Sequence, residues 1–124
     1  MTGSNQGTES QEQIALFRWA AYNSGKYPEL EYMYHVPNEG KRNPHTGARL
    51  KMEGLKAGVP DICLPASRSG YHGLYIEMKV GRNKPTKEQE RYLNFLQLQG
   101  YATAICYGWD KAQELIVEYL EGRL

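Results

Sequence analysis

The chain has 124 residues, of which 40% are hydrophobic and 23% are charged. This length fits a single domain, so we do not expect a two-domain enzyme with a separate cofactor lobe. No apolar run approaches about 18 residues, and no basic stretch followed by an apolar one opens the chain, so we expect no membrane span, no secretory signal and a cytoplasmic protein. Two cysteines, Cys63 and Cys106, are too few for a disulfide scaffold and are expected to be buried, reduced thiols.

The charged residues are unevenly distributed along the chain. Residues 41–87 contain ten basic and three acidic residues, whereas all other positions together contain five basic and eleven acidic residues. A basic middle segment between acidic ends predicts one positively charged surface. Charge alone fits nucleic-acid binding and a solvated charged face equally well.

The N-terminal third predicts a tail, a helix and a strand. Residues 1–9 are expected to form a flexible tail before a single domain at 10–124. Apolar residues at helical spacing predict a helix at about 11–24, with Ser10 as its N-cap. A strand is expected at about 30–36, where Pro37 ends it.

The remaining elements alternate between short strands and helices. They are strands at about 60–65, 74–80 and 101–107, and helices at about 48–57, at about 87–99 and from Asp110 onward. The order α-β-(α)-β-β-α-β-α predicts an α/β fold, a central mixed sheet flanked by helices.

Two acidic residues and one lysine fall on neighbouring predicted strands. Glu77 and Lys79 are two residues apart, so they share the face opposite the aliphatic residues of that strand. Asp61 lies on the preceding strand, about 4.8 Å away, so its carboxylate and that of Glu77 can converge on one ion. Two carboxylates and a backbone carbonyl suit Mg²⁺, and a metal beside a lysine suits phosphodiester hydrolysis. The alternative interpretation is a surface Glu–Lys pair and a Pro-Asp turn.

Four segments carry a resemblance to a known family. They are Pro60-Asp61, Glu77-Met78-Lys79, the block from His35 to Gly40 and the helix start from Thr86 to Gln89. With the element order, they make the chain resemble the PD-(D/E)XK nuclease superfamily and its restriction-endonuclease-like core. More narrowly, the chain resembles a stand-alone VRR-NUC (virus-type replication-repair nuclease) domain over about residues 10–107, with the helix at 48–57 as an insertion.

The resemblance implies roles for the matching residues. Asp61 and Glu77 would bind the metal together with the backbone carbonyl of Met78, and Lys79 would be the catalytic lysine.

Two further residues have both an implied role and a structural alternative. Glu12 would face the site from the first helix, as a metal ligand or through a metal-bound water, whereas its position alone indicates a first-turn acid that favours the helix dipole. Gln89 would orient a side chain or water at the site, and its spacing also makes it the capping partner of Thr86.

Other residues are candidates for contacts with DNA. His35 and Asn38 are expected either at the rim of the site or as a structural pair that shapes the turn. Basic residues near the inserted helix and after the third strand are expected to contact phosphates: Lys41, Arg42, Arg49, Lys51, Lys56, Arg82, Lys84 and Lys87. Strand tyrosines are expected to pack half-buried, with base stacking and a dimer interface as alternatives: Tyr32, Tyr34, Tyr101 and Tyr107.

The resemblance implies an Mg²⁺-dependent DNA endonuclease, in which Mn²⁺ substitutes and no organic cofactor takes part. Its small relatives act as homodimers on branched DNA such as four-way junctions, in replication or repair, and are viral or bacterial. The alternatives are a catalytically silent nucleic-acid-binding module and a restriction-type endonuclease with a defined target sequence.

Overall fold

A computed structural model describes residues 6–37 and 44–124 of the chain. The helices α1 to α4 span Glu9–Asn23, Pro44–Met52, Lys87–Leu98 and Trp109–Leu120. The strands β1 to β4 span Tyr34–His35, Ile62–Leu64, Leu74–Lys79 and Ala102–Tyr107, and a 3-10 helix spans Pro28–Tyr32.

The four strands form one mixed sheet in the order β1-β2-β3-β4. The pairs β1–β2 and β2–β3 are antiparallel, and β3–β4 is parallel. Ile62 pairs with Ile76, so the antiparallel register places Asp61, one residue before β2, opposite Glu77. The predicted α/β fold with a mixed sheet flanked by helices is confirmed.

The core lies between one face of the sheet and the helices α1 and α4. Alternate residues of β3 point into it, and Leu16 of α1 and Ile116 of α4 pack there with no exposed surface. Burying one large aliphatic side chain stabilises the fold by about 1.5–3 kcal/mol. Helix α3 lies on the opposite face, where Gln97 donates a hydrogen bond to Thr103 of β4 at 2.7 Å.

The segment expected as a strand at 30–36 is mostly a 3-10 helix. Pro28 opens the turn, since its fixed φ suits a helix start and it has no N–H to pair. Leu30 and Met33 are both buried, and their spacing of three matches the three residues per turn of a 3-10 helix. Only Tyr34 and His35 remain in the sheet, so the strand prediction was wrong for most of its length.

Helix α1 begins earlier than its sequence pattern indicated. Thr8, and not Ser10, is the N-cap, and it forms a reciprocal capping box with Gln11. Gln6 also contacts the fold, because its amide donates to the carbonyl of Tyr107 at 3.0 Å and accepts from the N–H of Gly81 at 2.8 Å. Residues 6–9 of the expected tail are therefore part of the folded domain.

Two other boundaries differ from the predictions. Helix α2 ends at Met52 and not near residue 57, and α4 begins after Gly108 and not after Asp110. Gly58 has φ +84°, and a Cβ there would lie 2.5 Å from the carbonyl oxygen of Glu88. This close approach needs glycine and holds the chain against α3 just before Asp61.

Both cysteines are free and buried, as predicted. Among residues 6–37 and 44–124, no helix combines the length and the apolar character that crossing a bilayer requires.

Candidate active site

Asp61 and Glu77 meet where β2 begins and β3 approaches its end. The Asp61 carboxylate accepts a hydrogen bond from the backbone N–H of Met78 at 2.7 Å. The backbone N–H of Val36 donates to the Asp61 carbonyl at 2.7 Å, which extends the pairing of β1 with β2 to this residue. The sheet itself therefore fixes the position of the Asp61 side chain against β3.

Glu77 is a buried carboxylate that is only partly satisfied. Its side chain is 2% exposed, and its Oε2 accepts a hydrogen bond from Gln89 at 2.9 Å. The Nζ of Lys79 lies 3.7 Å from the same oxygen. Within the described residues, Oε1 of Glu77 has no hydrogen-bond partner. A buried oxygen without a partner is costly, and it is free to bind a cation.

The burial of this pair excludes the alternative of a surface Glu–Lys pair. Glu77 and Lys79 point away from the aliphatic core, as expected, but that face is also covered, and the residues are 2% and 7% exposed. The cover comes from α3, through the contact between Gln89 and Glu77.

Burial raises the pKa of both carboxyl groups, and like charge adds to the shift of Glu77. Burial, followed by the nearby Asp61 carboxylate, raises the pKa of Glu77 to about 8, although Lys79 opposes the shift. Burial also raises the pKa of Asp61, against the lowering effect of the Met78 N–H. Two carboxylates in this environment favour a bound proton or a bound cation between them.

A cleft of about 240 Å³ opens beside Asp61, whereas Glu77, opposite Asp61 in the register, is not among the described residues that line it. Asp61, Met78 and His35 line it from the sheet, and Glu9 lines it from the first turn of α1. The negative charge of Glu9 also contributes to the raised pKa of Glu77. Sequence reasoning missed Glu9 because it placed the helix start two residues late. The capping box of Thr8 and Gln11 is the signal that would have found it.

Glu12, for which the resemblance implies a role at the metal, contacts backbone N–H groups in this structure. Its Oε1 accepts from the backbone N–H of Trp109 at 2.9 Å, and its Oε2 accepts from the N–H of Gly7 at 2.9 Å. Both carboxylate oxygens are therefore used by the backbone, and Glu12 is not among the described residues that line the cleft. The acidic residue that α1 presents to the cleft is Glu9.

Gln89 makes both contacts that its position indicated, one that caps α3 and one to a side chain of the candidate site. Its Oε1 accepts from the Thr86 N–H at 2.8 Å and completes the capping box of α3. Its Nε2 donates to Glu77 at 2.9 Å. The capping contact fixes the Gln89 side chain at the start of α3. The fixed side chain in turn orients Glu77 through its second hydrogen bond.

The residues present fit a divalent cation of the magnesium type. No group of three His, Cys, Asp or Glu residues capable of chelating an ion occurs within the described part of the chain. Mg²⁺ does not require one, because it retains several waters and binds one or two carboxylates. Asp61, the unpartnered Oε1 of Glu77 and the carbonyl of Met78 are the residues that could hold it.

The structure describes some of the residues expected to contact DNA and not others. His35 lines the cleft, whereas Asn38, Lys41 and Arg42 lie outside the described residues. Arg49 is exposed and forms an ion pair of 3.5 Å with Glu53, one helical turn away. The remaining basic candidates are exposed: Lys51, Lys56, Arg82, Lys84 and Lys87.

Comparisons with known proteins agree with this architecture. Residues 7–110 match the family model described as the VRR-NUC domain. A solved structure described as a VRR_NUC domain protein superposes with a TM-score of 0.79 and 29% sequence identity, covering 94% of this chain and 90% of that chain. No curated protein matches the chain. The fold and these two matches make this a nuclease-type α/β domain. The chain belongs to the VRR-NUC domain family, so the resemblance predicted from the sequence is confirmed.

Proposed function

We propose that this protein is an Mg²⁺-dependent DNA endonuclease that hydrolyses phosphodiester bonds, with Mn²⁺ as a substitute. The observation that carries the proposal is the buried Glu77, whose Oε1 lacks a partner within the described residues while Asp61 lies opposite and Lys79 lies beside it. A structural carboxylate at this depth is normally satisfied by hydrogen bonds. An incompletely satisfied carboxylate opposite a second carboxylate that lines a cleft fits a cation site.

Each residue of the site has a stated task in this proposal. Asp61, Glu77 and the Met78 carbonyl hold the metal, which when bound lowers the pKa of its water and stabilises charge on the phosphoryl oxygens. Lys79 donates hydrogen bonds to a non-bridging phosphate oxygen, where negative charge grows as water adds to phosphorus and the bond to the leaving oxygen breaks. Gln89 keeps Glu77 in place, and Glu9 adds negative charge at the cleft.

We also propose that the substrate is branched DNA, such as a four-way junction, and that the active form is a homodimer. The nuclease-type domain takes up residues 7–110, so DNA contacts within these residues come from the surface of that domain itself. A two-fold dimer would place two sites on a junction that has two-fold character of its own. Exposed basic residues near α2 and before α3 would bind phosphates and orient the DNA without reading its sequence.

The test is cleavage of a labelled four-way junction, a flap and a plain duplex side by side, with Mg²⁺, Mn²⁺ or EDTA. Wild type is compared with Lys79→Ala, and Lys111→Ala serves as the control because Lys111 is an exposed lysine on α4. We expect metal-dependent cleavage of the branched substrates by wild type and the control, and none by Lys79→Ala. Binding without cleavage by wild type would instead favour a silent binding module, and discrete bands from a long plasmid would favour a restriction-type enzyme.

The dimer is tested by sedimentation of the protein alone and on the junction. A strict monomer on DNA would contradict junction resolution and favour nicking or flap cleavage.

A further inference from the structure

A row of aromatic side chains lies on the same sheet face as the candidate active site. Tyr75 precedes Glu77 by two residues on β3, so both side chains point to the same face. The register then pairs Tyr75 with Cys63 of β2, and Cys63 with Tyr34 of β1. The tyrosine row therefore runs across three strands, directly behind the row that contains Asp61 and Glu77.

Tyr75 and Tyr101 support each other, and the buried Cys63 lies between Tyr75 and Tyr34 in the register. Tyr101 packs edge-on against Tyr75, with ring centroids 5.3 Å apart. Cys63 is only 4% exposed, whereas Tyr34 above it is 50% exposed. Tyr34, at the β1 end of the row, therefore keeps half of its surface exposed.

Tyr34 differs from a core tyrosine of the same protein. Tyr119 has no exposed surface, and its hydroxyl donates to the carbonyl of Ala66 at 2.6 Å. Tyr34 instead presents a half-exposed ring beside the candidate active site. A polar residue could take this position without loss of buried apolar surface. Helix α3, which covers this sheet face, packs on β4 at the other edge of the sheet.

The separation between the two rows matches the dimensions of a nucleic-acid strand. Two residues along a strand span about 6.5–7 Å. Stacked nucleotides of one DNA strand rise about 3.4 Å each along the helix axis, so this separation spans about two nucleotides. A phosphate at the carboxylates therefore places the base of a neighbouring nucleotide within reach of the tyrosine row. Only an unpaired base can present its ring to Tyr34, because the bases of a duplex are stacked on one another.

We propose that Tyr34, which Cys63 separates from Tyr75 in the same cross-strand row, is a stacking surface for an unpaired nucleobase next to the scissile phosphate. This surface makes the protein prefer DNA with unpaired or splayed nucleotides over a continuous duplex. The inference rests on the proposed nuclease function and adds a specificity determinant outside the residues that bind metal. Stacking accepts every base, since each has an aromatic face, so the preference is for structure and not for sequence.

The test is equilibrium binding in EDTA, where cleavage cannot interfere. The probes are a fluorescent duplex and the same duplex carrying an unpaired flap, with 2-aminopurine at successive flap positions. We expect Tyr34→Ala to weaken flap binding about tenfold and duplex binding less than about twofold. Tyr34→Phe keeps the ring and is expected to bind as wild type does. Tyr22→Ala is the matched control, because Tyr22 is an 85% exposed tyrosine on α1.

The quenching of 2-aminopurine locates the contact. We expect one flap position near the branch to lose its protein-induced quenching in Tyr34→Ala and to keep it in Tyr34→Phe. Unchanged flap binding by Tyr34→Ala, or an equal loss on flap and duplex, overturns the inference. Conversion of a wild-type dimer to a monomer by Tyr34→Ala also overturns it, because the ring would then belong to an interface between copies.

The inference and the proposed function fail separately. Tyr34-dependent flap binding without metal-dependent cleavage by wild type would overturn the nuclease and leave the stacking surface in place. Cleavage by wild type with no Tyr34 dependence would overturn the stacking surface alone. A matching thermal melt of Tyr34→Ala and Tyr34→Phe ensures that a loss of binding is not a loss of fold.

Discussion

The carboxylate of Glu12 accepts a hydrogen bond from the backbone N–H of Trp109 at 2.9 Å, so α1 supplies the N-terminal cap of α4. Gly108, the residue before α4, has φ +96° and provides no side-chain cap of its own. The first N–H groups of a helix have no partner within it, and an acidic side chain there also interacts favourably with the helix dipole. Glu12 thus joins two helices that cover the core.

Replacing Glu12 with Ala is expected to destabilise the protein by about 1–2 kcal/mol, the usual loss for a helix cap. The measurement is urea unfolding at pH 7 in EDTA. At temperatures where the variant remains folded, its metal-dependent cleavage should stay close to that of wild type. A Glu12→Ala variant that is as stable as wild type but does not cleave DNA would indicate that Glu12 acts in the active site.

Replacing Glu9 with Gln is expected to weaken metal binding and cleavage and to leave the stability of the protein nearly unchanged. Glu9 lines the cleft, and its charge contributes to the raised pKa of Glu77, so its loss should weaken cation binding and cleavage about tenfold or more. The unfolding midpoint should change little, because the Thr8 and Gln11 capping box remains. Titration with Mn²⁺ by calorimetry, set beside Glu12→Ala, distinguishes the two acids. Equal Mn²⁺ affinity for Glu9→Gln and wild type would contradict the assignment.

Cys106 is expected to be unreactive in the folded protein. It is 5% exposed, and burial raises the pKa of its thiol from 9.0 to about 11. Because the folded pKa is the higher one, stability from the neutral thiol is complete below pH 9.0 and is lost as the pH rises through about 11. Alkylation at pH 8 should therefore follow unfolding. Rapid modification of Cys106 under native conditions, read by mass spectrometry, would contradict this expectation.

Strand β3, which carries Glu77 and Lys79, was the most predictable element of the site. The alternation in 74–80 predicted β3, and the two-residue spacing placed Glu77 and Lys79 together on one face. The burial of these side chains was not predictable in the same way, because it depends on α3 crossing that face, and the crossing is a property of the whole fold. The 3-10 helix at Pro28–Tyr32 was not predictable for a related reason. The spacing of three between Leu30 and Met33 also occurs in segments whose composition favours a strand.

Replacing Glu77 with Gln is expected to stabilise the metal-free protein and to abolish cleavage. The raised folded pKa of about 8, against an ordinary value of 4.5, means that stability from the protonated Glu77 is complete below pH 4.5 and is lost as the pH rises through about 8. The amide of Gln carries no charge, so the variant should gain on the order of 2 kcal/mol over wild type at pH 8 in EDTA. Urea unfolding at pH 5 and pH 8 measures the difference.

Addition of Mn²⁺ supplies the control for Glu77. The cation should stabilise wild type at pH 8 and leave Glu77→Gln unchanged. A wild-type protein whose stability in EDTA does not fall between pH 5 and pH 8 would argue against the buried carboxylate pair.

Two variants of Gln89 separate its capping role from its role at Glu77. Gln89→Glu retains a residue that completes a capping box with Thr86, so helix α3 should keep its stability. The same change replaces the amide that donates to Glu77 with a second carboxylate, which should repel Glu77 and lower cleavage about 10–100-fold. Gln89→Ala removes both contacts and should lower stability and cleavage together. Urea unfolding and single-turnover cleavage of the branched substrate measure the two effects. If Gln89→Glu cleaves as wild type does, the hydrogen bond to Glu77 has no positioning role, and Gln89 acts only as a helix cap.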